Sequence, residues 1–181
     1  ADVQRQFLQD ALARVADKTF NMVSVDGDTS PSDTVLLLAN GASRSCPIDA
    51  SNGAEFEAAL SEVCTYLATS IAADGEGATR LLEVTVMGAR SIDDARRAAR
   101  CIAGSSLVKT AIHGADPNWG RIVCAAGRSG AQMDPARVSL VLNYVPVMAG
   151  GMPLPFPEDS LRSSLKAEHI RIEMDLKLGE S

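Results

Sequence analysis

The sequence has little aromatic content, few histidines and no long apolar run. Phe, Trp and Tyr make up 4% of the 181 residues and apolar residues make up 46%, so the core must consist largely of aliphatic side chains. No apolar run approaches the length of a membrane span, and no signal peptide is visible. We therefore expect a cytoplasmic protein without a membrane partner.

The sequence also lacks an excess of basic charge. It has 17 Lys and Arg residues against 23 Asp and Glu residues, which gives a formal net charge of -6. A net-acidic chain has little to displace counterions from phosphates, so the composition argues against nucleic acid as a partner. A chain of this length can form one domain or two small ones.

Metal-ligand spacing is another missing feature. Histidine occurs only at His113 and His169, and no pair of His or Cys residues has zinc-ligand spacing, so we expect no metal. The cysteines are widely spaced, at Cys46, Cys64, Cys101 and Cys124. We expect buried free thiols, because two of the four fall on apolar helix faces and a chain of this size needs no disulfides.

What the sequence does contain is an interleaved pattern of helices and strands. Helical spacing of apolar residues predicts helices over 3–15 and 56–71, the second with Asn52 as N-cap and Glu55 at the capping-box position. Ser91 is the predicted N-cap of a third helix that ends at Gly104. Shorter helices are predicted over 119–127 and 159–165.

Apolar or alternating runs predict the strands. They lie at 34–41, 81–89, 107–112, 138–148 and 169–176, the fourth with a bend at Pro146. The proline-rich stretch 150–159 is predicted to be a rigid connector. Alternating helices and strands indicate layered α and β structure, with a change of unit near residue 78.

The first candidate site is the stretch DGEGATR at 74–80. It holds Glu76 between Gly75 and Gly77, where an open backbone would let a ligand approach the carboxylate closely. In the functional interpretation, Glu76 faces an ammonium group or a reacting amine. Two structural interpretations compete with it: the glycines only reverse the chain, or Arg80 neutralises Glu76 in an ion pair.

A second candidate is HGADPNWGRI at 113–122, which places His113, Asp116, Asn118 and the only tryptophan close together. A strand-to-helix turn with Asn118 as N-cap and Trp119 in the core accounts for most of this pattern. His113 has no Ser or Cys beside it in the sequence to activate, although a partner in space stays open.

The acidic stretch SVDGDTSPSDT at 24–34 is a third candidate. It supplies Asp26, Asp28 and Asp33, but it lacks the ligand spacing and the closing Glu of an EF-hand calcium loop. Asx turns are the predicted role of these residues. The residues of these three stretches do not by themselves indicate a reaction.

Longer phrases carry a family resemblance. FNMVSVDGDTSPSDTVLLLANG, ADGEGATR, LVKTAIHGADPNWGRI and AAGRSG occur in order and closely resemble the β chain of the ornithine acetyltransferase family, the bifunctional glutamate N-acetyltransferases of arginine biosynthesis. The resemblance runs from residue 3 to the end. It implies an α+β fold in which residues 1–78 belong to an αββα N-terminal-nucleophile layer shared with an α chain, and residues 79–181 form a smaller α/β domain.

The resemblance also implies a reaction. Family members are cut from one precursor just before a threonine, whose hydroxyl takes the acetyl group from N-acetylornithine and passes it to glutamate. The adjacent free α-amine can serve as the base for that hydroxyl. The implied partners are the α chain and a second αβ unit, giving a heterotetramer. No cofactor is implied, and acetyl-CoA is left open as a co-substrate.

Within the DGEGAT phrase, Glu76 corresponds to the family's substrate-contacting glutamate. It would hold a substrate ammonium or help to deprotonate the attacking amine of glutamate. The sequence departs from the family in starting at Ala1 without the threonine-led segment and in ending before a final strand and tail that contribute an asparagine and a hydroxyl residue. Arg80 also stands where lysine is usual. We expect residues 1–181 to be inactive without the nucleophile.

Three alternatives stay open from the sequence. The first is an amidase or peptidase of the same self-cleaving architecture, with water as the acceptor. The second is an acetyltransferase of another pathway, because acceptor choice depends on pocket residues outside this chain. The third is a non-catalytic assembly subunit that has kept the fold without the nucleophile.

Overall fold

Two compact units make up the chain, Ala1–Gly75 and Glu76–Ser181. The computed structural model describes residues 1–43 and 46–181. The first unit contains α1 (Arg5–Lys18), a short 3-10 helix (Phe20–Met22) and α2 (Ala54–Ala73). The second unit contains, in chain order, β1 (Leu81–Met87), α3 (Ile92–Ala103), α4 (Ser106–His113), α5 (Trp119–Gly127), β2 (Ser139–Leu142), β3 (Val145–Ala149), β4 (Met152–Pro153), α6 (Glu158–Ser164) and β5 (His169–Asp175).

In the first unit, α1 and α2 pack against each other. Phe7 and Val15 lie on one face of α1 and are buried, which confirms the first predicted helix. The rings of Phe7 and Phe56 are tilted to one another, with 6.3 Å between their centroids. Arg14 on α1 donates to both carboxylate oxygens of Glu57 on α2, so an ion pair reinforces the apolar contact.

The predicted capping of α2 by Asn52 is wrong. Gly53 is the N-cap, and no side chain caps the helix. Asn52 is engaged in the preceding turn, where its Oδ1 accepts the Asp49 N–H at 2.8 Å and its Nδ2 donates to the Pro47 carbonyl at 3.2 Å. An Asn side chain can satisfy the backbone of a turn as well as a helix end, and here it serves the turn.

The predicted strand over 34–41 does not form. The stretch has no strand structure, and Leu36 and Leu38 are 79% and 90% exposed. A continuous apolar run favours a strand covered on both faces, but a strand also needs a neighbouring backbone for its hydrogen bonds. Within the described part of the first unit, the only strand-like pairing is an isolated bridge between Val3 and Ile48.

A five-stranded mixed sheet with the order β1-β5-β2-β3-β4 is the base of the second unit. β1 and β5 are parallel, with Leu81 opposite His169 and Met87 opposite Asp175, and the other neighbours are antiparallel. The short strand β4 lies within the predicted connector and pairs with β3. Helices and a mixed sheet together confirm the α+β class.

One apolar core joins the helices of the second unit to one face of this sheet. Leu140 and Ile172 enter it from the strands, and Ile102 and Ile122 enter it from α3 and α5. Residues on the opposite face, such as Glu83, are exposed. Burial of one face alone gives alternating burial along β2 and β5, which is why alternation predicted β5 correctly.

Most helices of the second unit lie where the sequence predicts them. α3 begins after Ser91, whose hydroxyl accepts the Asp94 N–H at 3.2 Å, and it ends at Gly104. The ranges of α5 and α6 also agree with their predictions to within one residue. In the part of the chain that the structure describes, no helix is both long and apolar enough to cross a membrane.

The predicted strand over 107–112 is a helix, α4. Ser105 is its N-cap, and the Ser105 hydroxyl accepts the Val108 N–H at 3.4 Å. Val108, Ala111 and Ile112 share one helical face and are buried. Six residues are too few for periodicity to separate a strand from a helix, and the cap together with the buried face favours the helix.

The predicted bend at Pro146 is also wrong, because the chain reverses earlier. Asn143 and Tyr144 form the hairpin turn with left-handed φ angles of 47° and 66°. The Asn143 Oδ1 accepts the Arg171 N–H at 3.0 Å, which holds the turn against β5. Pro146 lies inside β3 opposite Val141, next to a shift in the ladder register.

All four cysteines are free thiols. Cys64 is buried and Cys101 is partly buried, whereas Cys46 and Cys124 are exposed, so the prediction of burial is wrong for the last two. Burial raises the pKa of the Cys64 thiol, which disfavours the reactive thiolate.

Candidate functional site

The loop between α2 and β1 carries Glu76 in a turn. Gly77 has a φ of +71° and no atom within 4 Å of the place where a Cβ would lie, so glycine there serves the backbone conformation. Gly75 serves packing, because a Cβ at that position would lie 2.8 Å from the Val25 Cγ1. The two glycines that flank Glu76 are therefore required for different physical reasons.

The Glu76 side chain is exposed, and among residues 1–43 and 46–181 it has no hydrogen-bond or ion-pair partner. Arg80, the nearest basic residue along the chain, is engaged elsewhere. Its Nη1 donates to the backbone carbonyls of Ile112 and His113, the second at 2.8 Å. The ion pair that competed with a functional role for Glu76 is thus not formed, and the carboxylate is available to a ligand.

Arg80 links the Glu76 loop to the second candidate stretch, 113–122. The carbonyls that it binds lie at the C-terminal end of α4, where backbone acceptors have no partner within the helix and where the helix dipole favours positive charge. Ile112 and His113 are 32 and 33 residues away from Arg80 in the sequence. No spacing rule predicts this contact, and sequence analysis missed it.

The second stretch connects two helices, α4 and α5, instead of a strand and a helix. Ala115 adopts a left-handed φ of 51°, and the Asp116 N–H donates to the Ala111 carbonyl at 2.8 Å. Asn118 occupies the N-cap position of α5 as predicted, but its side chain makes no capping bond. The Asn118 Nδ2 instead donates to the Asp116 carboxylate at 3.2 Å, which stiffens the connection.

Three other residues of this stretch have structural roles. Trp119 is partly buried and packs against the apolar core, as predicted. The His113 imidazole is exposed, and the backbone carbonyl of His113 makes the contact with Arg80. Arg121 also binds α4, where its Nη1 donates to the Leu107 carbonyl at 3.0 Å.

The acidic stretch 24–34 borders a cavity of about 970 Å³ in the first unit. Asp26, Asp28 and Asp33 line the cavity together with Leu67 and Ile71 of α2. The Asp26 Oδ1 accepts the Asp28 N–H at 2.8 Å, which confirms the predicted Asx turn for Asp26. Within residues 1–43 and 46–181, no group of three or more His, Cys, Asp or Glu residues is placed to hold a metal ion.

Comparison with known proteins decides the family. The model of the ArgJ family matches residues 1–181, which is the whole sequence. The chain belongs to the ArgJ family. The resemblance carried by its longer phrases is thereby confirmed.

Members of the ArgJ family are similar to this chain over nearly all of its length. The arginine biosynthesis bifunctional protein ArgJ of Dehalococcoides mccartyi is 50% identical over 183 residues, which are 99% of this chain and 45% of that protein. The protein of the same name from Thermus thermophilus is 46% identical over 98% of this chain and 45% of its own length. The chain thus spans about half the length of the curated relatives it matches.

A solved structure agrees with the fold. The crystal structure of the arginine biosynthesis bifunctional protein ArgJ from Bacillus halodurans matches with a TM-score of 0.97 and 39% sequence identity. The match covers 100% of this chain and 86% of that one. The arrangement of helices and sheet described above is therefore the arrangement found in the ArgJ family.

Proposed function

We propose that this chain is the β-chain part of an enzyme that transfers the acetyl group of N-acetylornithine to glutamate in arginine biosynthesis. The observation that carries the proposal is the ArgJ family match over all 181 residues, together with relatives named arginine biosynthesis bifunctional protein ArgJ. The nucleophile and the substrates are those that the resemblance implies.

In the proposed reaction, a threonine hydroxyl supplied outside residues 1–181 attacks the acetyl carbonyl of N-acetylornithine. The C–N bond breaks, ornithine leaves with the proton, and the acetyl group stays on the threonine oxygen as an ester. The amine of glutamate then attacks the ester, which gives N-acetylglutamate and returns a proton to the threonine oxygen. The atoms balance without a cofactor, and acetyl-CoA would be an alternative donor to the same ester.

Glu76 is the residue of this chain that we place against the substrate. A carboxylate forms a charge-assisted hydrogen bond with an ammonium group, and Glu76 is exposed with no partner in the described residues. An exposed carboxylate with no partner in the described residues can accept hydrogen bonds from a substrate ammonium directly, so we assign Glu76 to binding in preference to deprotonation of the attacking amine.

The exposed apolar surface of the first unit supports an α chain as partner. Val63, Tyr66, Leu67 and Ile71 on α2 are each 45–72% exposed. The apolar stretch 34–41 in the same unit has no strand neighbour. A partner that supplies strands and apolar side chains would cover both, and we propose the α chain of the same precursor for this role. We further propose that two such αβ units pair in the cytoplasm.

The intact mass of every chain in the purified native protein tests the proposal. We expect a threonine-led chain that contains residues 1–181 to gain one acetyl group on incubation with N-acetylornithine and to lose it when glutamate is added. Native protein that gains nothing would overturn the proposal. Loss of the acetyl group to water, without N-acetylglutamate, would instead indicate the amidase alternative.

A further inference from the structure

We infer that Arg80 is a positioning residue for Glu76: it anchors the start of β1 on the C-terminal end of α4, and it withholds its own charge from the Glu76 carboxylate. The inference deepens the proposed function, because it rests on the assignment of Glu76 to the substrate.

The anchor follows a turn that packing does not hold. Gly77 separates Glu76 from Arg80, and its surroundings are open, so packing does not hold the turn at that residue. The next contacts along the chain are made by two adjacent residues: Arg80 binds the α4 carbonyls, and the Leu81 N–H donates to the Glu168 carbonyl at 2.7 Å. The side-chain contact of Arg80 is thus the last fixed point before Glu76 on its β1 side.

The same contact determines which acceptor the Arg80 guanidinium binds. A guanidinium four residues from a carboxylate could turn to it and neutralise it. The end of α4 competes with that pairing, because the Ile112 and His113 carbonyls accept hydrogen bonds from Arg80 and the helix dipole favours a cation there. With Arg80 held on α4, Glu76 has no counter-ion among the described residues and can pair with a substrate ammonium.

Arg121 offers a matched control, because it lies on α5 and also binds α4 through its side chain. Its Nη1 donates to the Leu107 carbonyl at 3.0 Å and to the Thr110 hydroxyl at 3.1 Å. Replacing Arg121 by Gln therefore removes the same kind of contact from α4 without touching the loop that carries Glu76. If the role of Arg80 were only structural, replacing either arginine would have the same effect on kcat/KM and on amide exchange in 76–81.

The test compares Arg80→Gln and Arg121→Gln in the assembled enzyme, with both the chain and its α partner present. A loose catalytic loop misplaces its side chain by about an ångström, so we expect Arg80→Gln to lower kcat/KM roughly tenfold to a hundredfold, mainly through KM. Amide exchange in 76–81 should become faster. Arg121→Gln should change neither quantity, although both variants should lower the thermal midpoint by similar amounts.

Arg80→Lys separates the anchor from a general loss of folding. Lysine keeps the charge at the α4 end but supplies a single donor group, so it should recover part of the lost kcat/KM and of the exchange protection. Equal kinetics and equal exchange in Arg80→Gln and Arg121→Gln would overturn the inference. If the unaltered assembled enzyme transfers no acetyl group, the proposed function fails, and the exchange rates in 76–81 still decide whether Arg80 anchors the loop.

Discussion

At the scale of single residues, two glutamates of this protein differ in whether a basic side chain of the same chain pairs with them. Glu57 is the paired case, since Arg14 donates to both of its carboxylate oxygens. Glu76 is the other case, since Arg80, the nearest arginine along the chain, is bound to α4. Substitution should therefore affect fold stability at Glu57 and activity at Glu76.

Replacing Glu76 by Gln in the assembled enzyme should mainly weaken substrate binding. The amide keeps the shape but loses the charge, and a hydrogen bond to a charged group contributes about 1.5–3 kcal/mol, so KM should rise roughly tenfold to a hundredfold. Steady-state kinetics with the amino-acid substrates measures the change. A large fall in kcat with KM unchanged would indicate instead that Glu76 deprotonates the attacking amine.

The matched control for this substitution is Asp74→Asn. Asp74 lies two residues away, is also exposed, and serves as the C-cap residue of α2 through its backbone N–H. Its carboxylate is not assigned to the substrate, so we expect kinetics like those of the unaltered enzyme. An equal loss of activity in both variants would show that net negative charge of the loop, and not the position of Glu76, governs binding.

The Glu57–Arg14 pair should make the stability of the first unit depend on acid pH. The hydrogen bond from Arg14 lowers the pKa of the Glu57 carboxyl in the folded chain. A lowered pKa contributes stability above the unfolded value of about 4.3, and that stability is lost as pH falls through the folded value. Arg14→Gln should therefore lower the thermal midpoint at neutral pH and make its decline toward acid pH shallower.

A double-mutant cycle provides the control for this prediction. Arg14→Gln and Glu57→Gln should each remove the same pH-dependent contribution, and the double variant should show no further flattening. Thermal midpoints measured for the four proteins across acid pH give the comparison. If the two single effects add, the pH dependence arises from groups other than this pair.

At the scale of elements, prediction succeeded where one face of a helix or strand is buried over many residues. α1 and α3 each turn several apolar residues to one side, and β5 alternates over seven residues. The prediction failed for α4 because a run of six residues is too short to distinguish the helical period from the strand period. It failed at 34–41 because a strand depends on a neighbour that the run itself does not encode.

The candidate site was predictable only in part, for a similar reason. Glu76 could be found because its flanking glycines are adjacent in the sequence. The role of Arg80 could not, since the carbonyls that hold it belong to a helix 32 and 33 residues away that was predicted to be a strand. A local pattern can indicate a candidate residue, whereas the contact that we propose to position it joins parts of the chain that are far apart in the sequence.

The N-cap of α4 is the element-scale feature that can be tested most directly. Ser105 is buried, and its hydroxyl accepts the Val108 N–H, so Ser105→Ala should cost about 1 kcal/mol of unfolding free energy. Denaturant unfolding of the assembled protein measures the loss. Ser106→Ala is the control, because Ser106 is exposed at the first position of α4 and alanine is a good helix former. Equal stability of the two variants would contradict the capping role.

At the scale of the whole molecule, the two units differ in how completely they bury their apolar surface. The second unit closes a core in which Leu142, Leu161 and Ile170 are fully buried. The first unit has few buried residues and leaves Tyr66 and Leu38 largely exposed. Exposed apolar patches of this kind mark interaction surfaces, so the first unit is the part that should depend on a partner.

Leu67→Asp should separate partner binding from folding of the first unit. Leu67 is 45% exposed on the apolar face of α2, so a carboxylate there can reach solvent in the isolated fold but would be buried without a counter-ion in an interface. We expect the tagged chain to lose most of its co-purifying α partner while its helical circular dichroism is retained. Thr65→Asp adds the same charge at an exposed position outside the apolar group on α2 and should leave co-purification intact. Retained partner with Leu67→Asp would mean that this face of α2 stays in solvent in the assembled protein.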